Sequence, residues 1–424
     1  MKRGIFKPLK LKSFRALFGA QLFSDLGNWL DLIALQVIVA YHWGLDETAI
    51  ASVIIALGLP WVIIGPFASV FVDRLPKKAV MIVCLIFRIV FVAGLFYAPN
   101  LYILLLFVFL KGTVSALYDP ARQSAIRMIV PDSLLPEAVT LSQLSVNTMK
   151  IAGPALGGGI IAVFGAKSPF LFEAAGFFIA VIFLLLLPSL KSIEESDAIM
   201  SEDYAAKRNF WKDFSDGIKH IFHTPLLKIS IILSSAAFFI IFLYDGLFVF
   251  IAKQIGFNEG NFGLLISAVG AGSVAGSLLL GHWTAWNRKP VHLMSSSALL
   301  SGAFIAAVGL GGLGFLEFPP LIWIIGACIL GILGAGESVP YGYILQSETP
   351  KQMMGRVSAA AMSLQTFSML IAPAAGALLA KSLGAPLVMI GAGMATTLLG
   401  LTMLMVIWKK SRSFKSISEK QLDG

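Results

Sequence analysis

The sequence has little charge, little cysteine and little histidine. Only 13% of its 424 residues are charged, whereas a soluble protein carries about 25%. The two cysteines, Cys84 and Cys328, lie in apolar runs and make neither a metal-ligand spacing nor a disulfide framework. The five histidines include no HExxH arrangement. These absences argue against a metalloenzyme and a disulfide-rich scaffold, and we predict no metal site and no enzymatic activity.

Long apolar runs are what the sequence has instead, since 57% of its residues are hydrophobic. A bilayer core about 30 Å thick requires about 20 mostly apolar residues per helix. Twelve such runs can be read from the sequence, and we predict an all-α membrane protein with twelve transmembrane helices. The predicted spans are 17–41, 49–72, 79–97, 100–118, 139–164, 168–188, 229–250, 260–282, 291–313, 319–343, 357–380 and 385–408.

The basic residues support this number of spans. Most of the 32 Lys and Arg residues fall in the termini and in the loops that would share one side with them, Arg122 among them. Loops on the other side hold only Lys167, Lys253 and Lys381. The positive-inside rule therefore predicts a multi-pass plasma-membrane protein with both termini in the cytoplasm. The net charge of +9 then reflects topology, and we expect no nucleic-acid partner.

A polar stretch divides the chain into two halves, residues 1–188 and 229–424, joined by a linker at 189–228. Within the linker, Phe210, Trp211, Phe214, Ile218 and Ile221 recur at helical spacing, which predicts an amphipathic helix on the cytoplasmic membrane surface. A regulatory docking helix is the alternative.

The two halves also resemble each other in sequence. Matching residues recur at an almost constant offset, as in Pro120 with Pro340, Pro131 with Pro350, Pro154 with Pro373, Gly157 with Gly376 and Gly165 with Gly384. Parallel repeats of six spans are an architecture of secondary transporters. We therefore predict two pseudo-symmetric six-helix halves.

The segment after the second predicted span resembles the cytoplasmic signature G-x-x-x-D-R-x-G-R-K of the major facilitator superfamily. Asp73, Arg74, Lys77 and Lys78 match it, while Ser69 and Pro76 replace its glycines. The resemblance implies the twelve-helix major facilitator fold. It also implies that Asp73, Arg74, Lys77 and Lys78 act in gating on the cytoplasmic side.

Two further motifs narrow the resemblance. Gly153, Pro154, Gly157 and Gly158 are similar to the G-P-x-x-G-G of the antiporter signature, which is associated with exporters. The run Tyr118-Asp119-Pro120-Ala121-Arg122, followed by Val130-Pro131-Asp132, resembles the branch of enterobactin-type siderophore exporters and macrolide efflux proteins. Physically, the proline interrupts a helix and the glycines allow close helix approach.

Eight ionisable residues fall within the predicted spans, where a central charge costs at least about 2.5–3.5 kcal/mol. In the first span, polar residues lie within an arc of about 140° at about 100° per residue, namely Gln21, Ser24, Asp25, Asn28, Asp31 and Gln36. In the family resembled here, spans 1, 4, 7 and 10 line the central cavity. That resemblance makes Asp25, Asn28, Asp31, Lys111, Asp245, Glu337 and Tyr341 the candidate substrate and proton residues.

The other three ionisable residues within the predicted spans are Arg88, Lys150 and Glu173. Each has a structural interpretation. Arg88 is expected to pair with a carboxylate, with substrate contact as the alternative. Lys150 could form a salt bridge within its own half, with a functional role as the alternative. Glu173 is close to the outer end of the sixth span, where it could join such a bridge or simply reach water.

The combined expectation is a secondary transporter, most simply a monomer, that exports a small amphipathic drug, antibiotic or siderophore in exchange for protons. The sequence has no GxxxxGK[ST] motif, so we expect no cofactor and a proton gradient as the driving force. The alternatives are a lysophospholipid transporter of the same fold, or an importer.

Overall fold

The structure, a computed structural model, describes residues 6–64, 68, 72, 75–131, 133–188, 210–350 and 353–422. These residues form helices and short connections, with no β-strand among them. The helices of the first half are α1 (Lys12–Val37, continued by a π-helical turn at Ile38–His42), α2 (Glu47–Ile63), α3 (Lys77–Tyr97), α4 (Leu101–Ile129), α5 (Leu135–Phe164) and α6 (Ser168–Leu185).

The remaining helices begin with α7 (Phe210–His223), which lies in the predicted linker. They continue with α8 (Pro225–Asp245), α9 (Phe248–Gln254), α10 (Glu259–His282), α11 (Pro290–Gly312), α12 (Pro320–Ser347), α13 (Met354–Leu383) and α14 (Ala385–Leu422). In the described part of the chain, 11 helices are long and apolar enough to cross a membrane, and α2 is a shorter apolar helix. With α2, these helices confirm the predicted all-α, twelve-span architecture.

Local sequence signals account for several helix ends. The Asp46 side chain accepts a hydrogen bond from the Ala49 amide at the start of α2, at 3.2 Å. Asn100 does the same for Ile103 at the start of α4, at 3.1 Å. Short polar side chains are preferred at this position because they satisfy amides that the first turn leaves unpaired.

Several predicted boundaries differ from the helix bounds, among them the end of the second span, because α2 ends at Ile63 rather than at 72. The fourth span does not end at residue 118, because α4 continues through Pro120 to Ile129. The seventh span stops at Asp245, and the separate helix α9 follows after Gly246. The last helix continues to Leu422 rather than ending at 408. The α4 extension matters most, because it moves Arg122 from a predicted loop into a buried helix position.

The described residues fall into two compact units. The first unit contains those of Met1–Arg208 together with Phe257–Gly270, and the second contains those of Asn209–Gly256 and Ala271–Gly424. Helix α10 is divided between them, its first part belonging to the first unit.

The repeat seen in the sequence occupies equivalent places inside each unit. Gly165 ends α5 and Gly384 ends α13, both at φ +89°, a conformation that favours glycine. The matched prolines also lie at corresponding places, Pro120 and Pro340 inside α4 and α12, and Pro154 and Pro373 inside α5 and α13.

The predicted linker helix is present as α7, but part of its apolar face is covered by protein. Ile221 is buried in an apolar cluster with Leu227 of α8 and Val357 of α13, and Ile218 packs against the same cluster. His220 Nε2 lies 3.1 Å from the Glu348 carbonyl oxygen. The side chains of Phe210, Trp211 and Phe214 are outside the described part.

Candidate functional site

The polar stripe of α1 is buried inside the first unit. Gln21, Ser24, Asp25, Asp31 and Gln36 are each at most 6% exposed. Asn28, on the same stripe, is half-buried. Because a charged side chain is costly at membrane depth, the two aspartates need partners on neighbouring helices.

Asp31 finds its partner in a group of three buried charges, which we call the triad: Asp31 of α1, Lys111 of α4 and Glu173 of α6. The Lys111 ammonium donates to Asp31 Oδ2 and, at 2.8 Å, to Glu173 Oε1. The three side chains are 1%, 3% and 0% exposed. Glu173 therefore does not reach water, although it is near the start of its helix, because Lys111 crosses to it.

The triad holds two carboxylates against one ammonium. Glu173 Oε2 has no hydrogen-bond partner among the described residues. An ammonium with three N–H donors can satisfy one oxygen of each carboxylate, but it neutralises only one negative charge. Taken by itself, the triad therefore holds one more negative than positive charge when both carboxylates are ionised.

Arg88 of α3 lies beside the triad in the same unit and is 0% exposed. Its Nη1 donates to Ser24 at 2.8 Å, and its guanidinium lies over the rings of Tyr118 and Phe177, at 4.6 and 5.4 Å from their centroids. No carboxylate among the described residues lies within the 4.0 Å that defines a salt bridge. The predicted salt bridge of Arg88 is thus replaced by contacts with aromatic faces, which attract cations.

Asp25 belongs to a different network, one turn and a half earlier on α1. Its Oδ2 accepts from Gln21 at 2.9 Å and from Ser145 of α5 at 2.8 Å. Gln21 and Ser142 form two hydrogen bonds, each at 2.9 Å. Gln21 Nε2 donates to the Ser142 carbonyl oxygen, and the Ser142 hydroxyl donates to Gln21 Oε1. Arg122 donates to the Ser142 hydroxyl at 2.8 Å, which extends the network to α4.

Sequence reasoning missed Arg122 and Asp119 as members of this network. Arg122 is 2% exposed and pairs with Asp119 Oδ1 at 3.2 Å, three residues earlier on α4. Their i,i+3 spacing is the signal that could have found them. The predicted span ends at residue 118, before Pro120, whereas membrane helices tolerate proline.

The glycine motif of α5 allows close packing on α1. A side chain at Gly153 would meet the Cβ of Trp29, and one at Gly157 would meet the Leu30 carbonyl oxygen. Leu30 directly precedes Asp31. The motif thus fixes the part of α1 that carries the triad aspartate.

Gly158, the last residue of the motif, contacts α10. A side chain there would meet the Gly263 carbonyl oxygen, and Ser267 Oγ donates to the Ala155 carbonyl at 2.5 Å. Pro154 lies inside α5 between these contacts. Small residues at both helices permit this approach.

The second unit holds the remaining predicted substrate and proton residues. Glu337 of α12 accepts a hydrogen bond from Ser301 of α11 at 2.9 Å. Tyr244 lies near enough to both Asp245 and Glu337 to interact with their charges. Asp245 is half-buried at the end of α8, and Tyr341 packs against the apolar cluster around Leu227 and Val357.

Of the predicted gating residues, Asp73 and Arg74 lie outside the described residues. Lys78 donates to the carbonyl oxygens of Leu185, at 3.1 Å, and of Leu187, at the end of α6. Lys77 donates to the carbonyls of Val72 and Leu75, at 2.9 and 3.1 Å. The contacts of Lys78 satisfy carbonyl groups at the end of α6, which the helix itself leaves unpaired.

Lys150 of α5 is exposed. Its Nζ lies 6.0 Å from the centroid of the Trp29 ring. Among the described residues, no carboxylate lies within 4.0 Å of it, so the predicted internal salt bridge of Lys150 is absent from this part of the chain.

Known proteins match this chain along most of its length. The sequence model of the Major Facilitator Superfamily matches residues 17–373. The chain is 25% identical over 404 residues to "Uncharacterized MFS-type transporter YfiS" of Bacillus subtilis (strain 168), with 94% of each chain covered. It is 27% identical over 408 residues to the enterobactin exporter EntS of Shigella flexneri, covering 93% of this chain and 92% of the relative.

Among solved structures, the fold is similar to that of a POT family transporter in complex with 5-aminolevulinic acid. The TM-score is 0.66 at 17% identity, with 92% of this chain and 95% of that chain covered, a likeness that concerns the fold alone. The family match spans both helix units and the triad. The chain belongs to the major facilitator superfamily of membrane transporters.

Proposed function

We propose that this transporter is a proton-coupled exporter of a small amphipathic compound, working by alternating access across the plasma membrane with both termini in the cytoplasm. The observation that carries the proposal is the triad, in which Asp31 and Glu173 share the single ammonium of Lys111. Lys111 neutralises one of the two carboxylates, and Arg88, although it lies beside the triad, donates to Ser24 instead. A proton is the smallest ligand that the other carboxylate can take up.

Coupling requires that the proton and the transport cycle affect each other. In the proposal, Glu173 carries the proton, because its Oε2 has no partner among the described residues. When Glu173 is protonated, Lys111 is free to pair fully with Asp31. When Glu173 is ionised, it competes with Asp31 for the same ammonium and pulls α4 towards α6. Proton transfer thereby alters the packing of three helices.

Export as the direction is supported by two sequence features. The Gly153-Pro154-x-x-Gly157-Gly158 motif resembles that of antiporters. The chain also shares 27% identity with an enterobactin exporter. On this basis a siderophore or an antibiotic of similar size belongs in the first set of compounds to test.

The test uses inside-out membrane vesicles with an acidic interior, followed by the quenching of a pH-sensitive dye. A panel of siderophores, macrolides and lipophilic cations is added to vesicles that contain the wild type, Glu173→Gln or Glu317→Gln. Glu317 is exposed in the connection before α12, so its variant is the matched control for loss of a carboxylate.

The proposal predicts that at least one compound relieves quenching with the wild type and with Glu317→Gln, and that Glu173→Gln abolishes the response. A compound that crosses the membrane without any proton movement contradicts proton coupling. If no compound in the panel moves protons but labelled lysophospholipid crosses the bilayer, the exporter proposal fails in favour of lipid transport.

A further inference from the structure

Glu337 is a membrane-depth carboxylate that the triad does not involve. It lies in α12, about 5 Å along the axis from the middle of that helix at 1.5 Å per residue. Among the described residues, no Lys, Arg or His nitrogen lies within 4.0 Å of its carboxylate, and its hydrogen bond comes from a neutral hydroxyl, that of Ser301. The described residues therefore supply this carboxylate with no positive charge.

Ser301 can satisfy Glu337 in either protonation state. Its Oγ lies 2.9 Å from Glu337 Oε1 and 3.2 Å from the Ala298 carbonyl oxygen. The single hydroxyl proton can go to the carboxylate, or it can go to Ala298 while the hydroxyl accepts a bond from the protonated acid. Glu337 can therefore remain in the membrane without a counter-charge as an acid, and it can ionise when a cation arrives.

The face of α12 that carries Glu337 has room beside it. Gly334, Glu337, Ser338 and Tyr341 follow one another at the i, i+3, i+4 and i+7 spacing of one helix face. A Cβ built at Gly334 would meet nothing within 4 Å, and Ser338 is exposed. Open space therefore adjoins the carboxylate along this face.

We infer that Glu337 recognises a positively charged group on the transported compound, so that the substrates include organic cations with an apolar or aromatic body. This inference rests on the proposed function and names a substrate class for it. Tyr244, which lies near Glu337, and Tyr341, one turn further along α12, offer aromatic faces that favour organic cations.

A metal ion fits this position less well than an organic cation. Divalent cations take six or more oxygen ligands, usually with several carboxylates. No group of three or more His, Cys, Asp or Glu residues that could hold a metal ion occurs in the described part of the chain. One carboxylate beside tyrosines instead matches the recognition of a large, weakly hydrated cation.

Equilibrium binding of radiolabelled tetraphenylphosphonium to the purified full-length protein in detergent tests this inference. The variants are Glu337→Gln, which removes the charge at constant size, Glu337→Asp, which retains it, and the exposed control Glu317→Gln. Size-exclusion chromatography checks that each variant is monodisperse before binding is measured.

We expect saturable binding to the wild type and to Glu317→Gln, a loss of affinity of tenfold or more in Glu337→Gln, and partial recovery in Glu337→Asp. Equal affinity of the wild type and a monodisperse Glu337→Gln overturns the inference, and so does the absence of saturable binding to the wild type. This binding experiment needs no proton gradient. A negative binding result therefore does not contradict proton coupling by the triad, and a loss of coupling in vesicles does not contradict binding at Glu337.

Discussion

The two helix units share a packing scheme but differ in the charges they bury. In each unit a glycine lies against a backbone carbonyl of the unit's first membrane helix, Gly157 against Leu30 and Gly376 against Leu243. The residue that follows the contacted leucine is Asp31 in the first unit and Tyr244 in the second. The two units thus share the contact between a glycine and the first membrane helix. They differ in the side chain that follows this contact, which is a carboxylate in the first unit and a phenol in the second.

This difference extends to the neighbouring helices. The first unit buries Asp25, Asp31 and Glu173 together with Arg88, Lys111 and Arg122, each at most 6% exposed. In the second unit, Glu337 has a serine as its hydrogen-bond donor. Under the two proposals made above, the buried charges of the first unit exchange the proton, whereas the carboxylate beside tyrosines in the second unit binds the incoming cation.

The largest expected effect comes from removing the ammonium that the triad shares. Lys111→Met leaves two buried carboxylates without their cation, and breaking a buried pair in this way costs about 3–5 kcal/mol. We expect little folded protein at the membrane and no transport, measured by fluorescence-detected size exclusion and by the vesicle assay. Adding Asp31→Asn and Glu173→Gln to Lys111→Met should restore folding without coupling; a triple variant as unstable as the single one contradicts the account.

The shared glycine contacts predict equal losses in the two units. Gly157→Ala and Gly376→Ala each place a methyl group against a carbonyl oxygen, and such overpacking costs about 1–3 kcal/mol. Both should lower the apparent melting temperature in detergent by similar amounts. Gly334→Ala is the control, because nothing lies within 4 Å of its built Cβ. A lower melting temperature in only one of the two variants would show that the glycine contact does not stabilise both units equally.

A smaller effect is expected from the Asp25 network, where several partners share each polar group. Ser142→Ala removes the hydroxyl that accepts from Arg122 and donates to Gln21, and leaving buried groups unpaired costs about 1–3 kcal/mol. Proton-coupled transport should continue, because the triad is intact. Loss of coupling at normal thermal stability would mean that this network, too, carries the proton.

The smallest effect is expected in the turn that follows the C-terminal end of α1. His42 Nε2 lies 2.6 Å from Glu259 Oε2, but the two side chains are 39% and 38% exposed. Exposed ion pairs contribute about 0–1 kcal/mol, so Glu259→Gln should change the melting temperature by no more than a few degrees. A large shift would indicate that this pair is energetically comparable to the buried triad.

The sequence alone predicts the helices, the repeat and the polar stripe of α1, because all three depend on patterns within a few turns of chain. It does not predict which charges meet. For Glu173 the sequence leaves open a salt bridge or contact with water, because depth along one helix does not determine what a neighbouring helix places beside it. The predicted span 100–118 places Arg122 in a loop, whereas its burial in the structure depends on contacts with α5.

Concentrative transport by Glu173→Gln tests the central claim most directly. Uptake of a compound identified with the wild type is measured in inside-out vesicles, with and without an acidic interior, and binding of the same compound is measured on purified protein. The account predicts that Glu173→Gln binds normally and lets the compound equilibrate but does not concentrate it when the interior is acidic. Concentration to the wild-type level by Glu173→Gln would contradict the assignment of proton coupling to the triad.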